Sequence, residues 1–145
     1  MSNLEKTLYT TKSRSIGGRD GHTKSLDSDL RIDLVTPKEL GGPGGQGSNP
    51  EQLFACGYSA CFLNAIKFIS LQSKQKFDQE NSYVEANVGI GPAGKGFGLT
   101  VGLEVYLPGL TQEEAEKIVE NAHQVCPYSN AVRGNIEVSI DVKTD

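Results

Sequence analysis

Between Leu53 and Leu71 almost every residue that is not small is apolar: Leu53, Phe54, Cys56, Tyr58, Cys61, Phe62, Leu63, Ile66, Phe68, Ile69 and Leu71. The run is too long for a strand and has no polar face, so it predicts a helix buried in a core rather than laid on a surface. Two starts are open. Asn49 can cap with Pro50 at the first helical position, or Ser48 and Glu51 can form a capping box. The helix is expected to end near Ser73 or Lys74. About 22 residues span roughly 33 Å, the width of a small domain. Gly57, beside Ala55, Ser59 and Ala60, offers a place for another backbone to come close. The rest of the chain must be built around this helix.

The flanking segments read as sheet. Residues 4–15 alternate weakly and predict a half-exposed strand. Gly17-Gly18-Arg19-Asp20-Gly21 predicts a tight turn with Asp-Gly as its hairpin signal. Leu30, Ile32 and Leu34 predict a strand that Pro37 ends, and residues 41–47 form a glycine-rich loop. That loop lacks the Gly-Lys-Ser/Thr of a phosphate-binding loop. Val84 to Ile90 and Phe97 to Leu107 alternate as the two arms of a long hairpin turned by residues 91–96. Thr111-Gln112-Glu113-Glu114 is a capping box opening an amphipathic helix that Pro127 stops near Cys126. Ile136, Val138, Ile140 and Val142 make a last strand. The expectation is one α+β domain over residues 1–145, mainly antiparallel sheet wrapped around a long buried helix.

With 14 basic and 18 acidic residues, a net charge of −4, the composition gives no broad basic surface for nucleic acid or anionic lipid. There is no uninterrupted run of 18 apolar residues and no secretory-type apolar stretch at the N-terminus. A soluble cytoplasmic protein, without nucleic acid or membrane partners, is expected. The three cysteines, Cys56, Cys61 and Cys126, are an odd number without C-x-x-C spacing, which fits neither a disulfide framework nor a zinc ribbon. His123 and Cys126 lie three apart on one helix face, but a metal there needs two further ligands.

Five residues of helix turn about 500° and rise about 7.5 Å, so Cys56 and Cys61 face different ways and cannot bridge within an intact helix. Cysteines in such places are commonly inert buried fillers. Arg19 is either a solvated hairpin tip or, if its turn folds over the long helix, a cation that favours thiolate. Glu51 is equally a first-turn carboxylate complementing the helix dipole. On spacing alone these alternatives stay open.

Three separated motifs reach further: Gly17-Gly18-Arg19-Asp20-Gly21-His22, then Asn49-Pro50-Glu51 through Gly57-Tyr58-Ser59-Ala60-Cys61, then Cys126-Pro127-Tyr128-Ser129-Asn130-Ala131. In this order, with the glycine-rich loop before Asn49 and Arg133-Gly134-Asn135 after Ala131, the chain resembles the OsmC/Ohr superfamily over essentially its whole length. Gly-Tyr-Ser-Ala-Cys resembles the Ohr branch, where the OsmC branch has a His-Ala-Gly-Cys form. The resemblance implies a thiol peroxidase for organic hydroperoxides. In it Cys61 is the peroxidatic cysteine and Cys126 resolves its sulfenic acid into a disulfide. Arg19 holds the thiolate and polarises the peroxide, and Glu51 orients Arg19. It further implies an intertwined homodimer with sites at the interface, a dihydrolipoyl protein as reductant, and no metal, flavin or haem. Cys56 departs from the pattern, which commonly has Ala there. Two other readings stand beside it: an OsmC-branch peroxidase with less preference for alkyl peroxides, and a peroxide-sensing or ligand-binding protein without turnover.

Overall fold

Turn-forming glycines and short polar strands organise the first part of the chain, and one helix, a hairpin and a crossover organise the rest. The computed structural model describes residues 4–145 and divides into two compact units, Met1–Leu53 and Phe54–Asp145. The expectation of no secretory leader falls partly on residues 1–3, outside the described residues.

In the first unit, strands β1 (Ser13–Ile16), β2 (His22–Ser25) and β3 (Arg31–Asp33) form an antiparallel sheet in that order. Ile16 pairs with His22 across the glycine turn, so the predicted hairpin is present. The predicted strand over 4–15 is shorter than expected. β2 has only four residues, so the ladder closes at Ser13 opposite Ser25, with one more bond from the Leu26 N–H to the Lys12 carbonyl. Leu34 continues beyond β3 as a parallel bridge to Ser48 and is buried, whereas Leu30 is exposed.

Helix α1 (Pro50–Ser73) starts in the Asn49 register: Asn49 Oδ1 accepts the Gln52 N–H at 2.8 Å. It ends as expected, with Lys74 in the left-handed region at φ 58°. Its burial corrects the sequence reading. Tyr58, Phe62, Ala65, Ile66, Ile69 and Ser70 are buried and form a single stripe at helical spacing. Phe68 and Leu71 stand 48% and 79% exposed. Apolarity on every side therefore does not mean burial on every side, because one chain covers one face. By length and composition α1 is also apolar enough to cross a membrane, with 33% of its most apolar window buried, so a search for uninterrupted runs does not exclude that class of helix. Its buried stripe and the exposed Asn64 and Lys67 at its middle suit a core helix.

In the second unit β4 (Tyr83–Ala93) and β5 (Gly96–Tyr106) pair antiparallel from Tyr83 opposite Tyr106 to Ala93 opposite Gly96. The turn is tighter than predicted. Only Gly94 and Lys95 lie between the strands, with Gly94 at φ 57°, a conformation that costs glycine little. Pro92 is tolerated inside β4 because that strand is an edge. Thr111 caps α2 (Gln112–Val125) with the full capping box: its Oγ1 accepts the Glu114 N–H and its own N–H donates to Glu114 Oε1. Because α2 carries the chain across, β6 (Val138–Lys143) lies parallel to β5, the one parallel pair of named strands among the described residues of a mainly antiparallel α+β fold. Val101, Leu103 and Val105 of β5 meet the α1 stripe and Ala115, Ile118, Val119 and Ala122 of α2 in one apolar core.

A short helix, α3 (Pro127–Val132), is absent from the sequence reading. Pro127 does stop α2, and Cys126 takes the extended conformation that a residue before proline favours (φ −63°, ψ 122°). The same proline then begins α3, where its missing N–H costs nothing.

Candidate active site

Arg19 sits in a single 3-10 turn, Gly18–Asp20, between β1 and β2. Glycine is required around it. Gly17 has φ 81°, and a Cβ on Gly21 would lie 1.7 Å from the Ile16 carbonyl oxygen. Asp20 Oδ1 accepts from Thr36 Oγ1 at 2.8 Å, and the Leu34 N–H donates to the Gly21 carbonyl, so the turn is tied to the chain after β3. Ser48 is bonded on both sides of Leu34, donating to the Asp33 carbonyl and accepting from the Val35 N–H. These ties bring the first turn of α1 to Arg19.

The result is a two-pronged ion pair. Arg19 Nη1 donates to Glu51 Oε2 at 2.8 Å and Nη2 to Oε1 at 2.6 Å. The side chains are 33% and 13% exposed. Hydrogen bonding to Arg19 holds the Glu51 carboxyl below its ordinary range, and the same contact pushes the Arg19 guanidinium up, against its partial burial. The fork uses one N–H from each terminal nitrogen. The three remaining guanidinium donors have no partner among the described residues.

In the second unit the two predicted working thiols meet. Cys61 is half-buried at the middle of α1, and Cys126 is fully buried at the joint between α2 and α3. Both thiols are free, and Cys126 and the Tyr128 backbone lie near enough to Cys61 to act on its titration. Burial pushes the Cys61 thiol up, and the neighbouring Cys126 adds to that; the Tyr128 N–H opposes both. Cys56 is exposed, away from this pair, as the helical spacing requires.

Tyr128 lies against α1. Its ring centroid is 6.0 Å from that of Phe54 and 5.7 Å from that of Tyr58. A Cβ on Gly57 would come within 2.6 Å of its hydroxyl. The small-residue patch predicted around Gly57 thus admits an aromatic side chain rather than a second backbone.

Sequence reasoning missed a buried polar chain beside the thiols. Tyr58 Oη and Ser129 Oγ are 2.7 Å apart, and Ser129 Oγ and His123 Nδ1 are 2.8 Å apart. Tyr58 and Ser129 are fully buried. His123, weighed above as a metal ligand beside Cys126, turns its Nδ1 to Ser129 instead. The structure therefore pairs Arg19 with Glu51 and Cys61 with Cys126, each pair inside its own unit.

The comparisons give this arrangement a family. The model of the OsmC-like proteins matches residues 42–141. An organic hydroperoxide resistance protein of Xanthomonas axonopodis pv. citri is 50% identical over 140 residues, covering 97% of this chain and 98% of its own. The crystal structure of an organic hydroperoxide resistance protein from Elizabethkingia anophelis superposes with a TM-score of 0.91 at 49% identity, covering 97% of this chain and 99% of the other. That of OhrB from Bacillus subtilis gives 0.85 at 39% identity, covering 94% and 100%. Fold and motifs define an OsmC-like α+β protein with paired thiols, and the chain belongs to the OsmC/Ohr family. The relatives named here at 39–50% identity carry the name of its organic hydroperoxide resistance branch.

Proposed function

We propose that this protein is a thiol peroxidase that reduces organic hydroperoxides to alcohols in defence against oxidative stress. The observation that carries the reading is that the Cys61 and Cys126 thiols are neighbours in one core cluster, one half-exposed and one fully buried. The half-exposed Cys61 thiolate attacks the terminal peroxide oxygen. The O–O bond breaks, the alkoxide takes a proton and leaves as alcohol, and Cys61 becomes sulfenic acid. The peroxide gains the two electrons that the sulfur loses. Cys126 then attacks the Cys61 sulfur, its proton leaves with the displaced hydroxide as water, and a disulfide forms. A dithiol donor, a dihydrolipoyl protein by the family resemblance, returns both thiols and is itself oxidised to a disulfide.

Arg19 supplies the charge that this scheme needs. Burial alone holds Cys61 as thiol, and a fixed cation favours the thiolate. The two hydrogen bonds to Glu51 support that role, since they leave Arg19 charged, oriented and with donors to spare for a peroxide oxygen. Exposed apolar residues on α1, Phe68 and Leu71 among them, support the homodimer that the resemblance implies. A cytoplasmic location completes the proposal, because reducing pools there keep such thiols available.

The test is stopped-flow oxidation of the reduced protein by tert-butyl hydroperoxide and, separately, hydrogen peroxide, with peptide mapping of the product. Rapid, selective reaction with the organic peroxide and a Cys61–Cys126 bridge is expected. Slow, unselective oxidation, or a bridge through Cys56, would overturn the assignment. Sedimentation should give twice the chain mass.

A further inference from the structure

We propose that Tyr58, Ser129 and His123 are positioning residues that hold Cys126 against Cys61 for disulfide closure. The inference rests on the reading that these thiols cycle through a disulfide, and it assigns a task to groups which that cycle does not itself use. Tyr58 lies three residues before Cys61, about one turn along α1. Ser129 lies three residues after Cys126, about one turn along α3. Their hydroxyls meet at 2.7 Å, so the contact between α1 and α3 is pinned one turn away from each sulfur.

The chain continues to α2. Ser129 Oγ reaches His123 Nδ1 at 2.8 Å, and Arg133 donates to the His123 carbonyl at 2.5 Å and to Asn130 Oδ1. The three helices are thereby linked around the Cys126 joint. The polar chain is satisfied from end to end: with the proton on His123 Nε2, the Tyr58 hydroxyl donates to Ser129 Oγ and the Ser129 hydroxyl donates to His123 Nδ1. Apolar packing alone does not give this register. The Tyr58 ring meets Phe54, Phe62 and Tyr128 at centroid separations of 6.2, 6.5 and 5.7 Å, tilted or edge-on, contacts that a small sliding of the helices preserves. Hydrogen bonds between fully buried hydroxyls tolerate no such sliding, since a lost partner leaves a polar atom stranded.

The experiment compares wild type, Tyr58→Phe, Ser129→Ala and the double variant, each of which removes hydroxyl groups and no carbon framework. The first readout needs no peroxide: the equilibrium between the Cys61–Cys126 disulfide and dithiothreitol in graded redox buffers. The second is the lifetime of the Cys61 sulfenic acid, trapped with dimedone after one equivalent of tert-butyl hydroperoxide. Each single variant should lower the disulfide equilibrium constant about tenfold, the effect expected of one buried hydrogen bond, and lengthen the sulfenate lifetime by a similar factor. The double variant should match Ser129→Ala, because Tyr58 has then already lost its partner. His123→Asn, whose amide can replace Nδ1, should stay closer to wild type than His123→Ala. Unchanged disulfide equilibria, with only the melting temperature lowered, would overturn the positioning role even if the wild type reduces peroxides. If Cys61 of the wild type ignores peroxide while the equilibria still fall in the variants, the peroxidase reading fails and the positioning of the thiol pair stands.

Discussion

Arg19 grips both carboxylate oxygens of Glu51, at 2.8 and 2.6 Å, from a turn that only glycine at position 21 can close. An exposed arginine at a hairpin tip would hold no such geometry. A planar fork on a carboxylate fixes the direction of the guanidinium as well as its charge.

Arg19→Ala should therefore slow the reaction of Cys61 with tert-butyl hydroperoxide by about a hundredfold, the usual loss for one oriented charge-stabilising donor. Glu51→Ala should slow it less, and the double variant should be no slower than Arg19→Ala alone. Additive losses in stopped-flow rates would show that the two residues act separately. The stability carried by the pair belongs to the ionised carboxylate. It is present above the ordinary Glu range and is lost as pH falls through the lowered value of Glu51.

Cys126→Ala should shift Cys61 toward lower pH. Burial and the Cys126 neighbour both push the Cys61 thiol up, and the variant removes the second cause. The pH profile of Cys61 alkylation by iodoacetamide should move to the acid side and keep its tenfold rise per pH unit below the midpoint. In the wild type the folded state holds the Cys61 proton more tightly than the unfolded chain. Its contribution to stability is complete below the ordinary thiol range and declines as pH rises through it.

Cys56→Ala should leave both turnover and the disulfide map unchanged, since Cys56 is exposed and apart from the thiol pair. Peptide mapping after peroxide treatment checks this directly. A lost bridge or lowered rate would give the extra cysteine a part in the cycle.

Gly57→Ala should destabilise the fold by about 1–3 kcal/mol, as overpacking does, because the new methyl group must displace the Tyr128 hydroxyl from 2.6 Å. Tyr128 also packs on the Phe54 and Tyr58 rings of α1, so displacing it disturbs the packing next to Cys61. Thermal unfolding and the rate of disulfide formation should both fall. Tyr128→Phe combined with Gly57→Ala should recover part of the stability, because it removes the hydroxyl that the new methyl group meets.

Local signals carried much of this architecture. The end of α1, the Thr111–Glu114 box and the long hairpin all depend on residues near each other in sequence and appear where the pattern puts them, and the Asn49 cap is one of the two starts that the pattern left open. What the pattern misjudged depended on partners. Periodicity records that α1 is apolar, not which faces one chain covers, so Phe68 and Leu71 stand exposed. Alternation identifies β6 as a strand but says nothing of its parallel neighbour. Six residues that begin with a proline are too few to show a helical period, which hid α3 and with it the meeting of Ser129 and Tyr58. Arg19, Glu51, Cys61 and Cys126 were reached through resemblance, since no spacing rule joins residues 32 or 65 positions apart.

The place of Cys126 decides how the proposed disulfide would load the backbone. Its N–H is bonded to the Ala122 carbonyl, closing one helix, and its carbonyl accepts from the Asn130 N–H, opening the next, both at 2.9 Å. Between those bonds lies a bend set by the pyrrolidine ring of Pro127. Drawing its sulfur to the roughly 2.05 Å of a disulfide would strain an articulation instead of the interior of a rod. Under the proposed cycle the hinge would take up the movement and both helical ladders would stay intact.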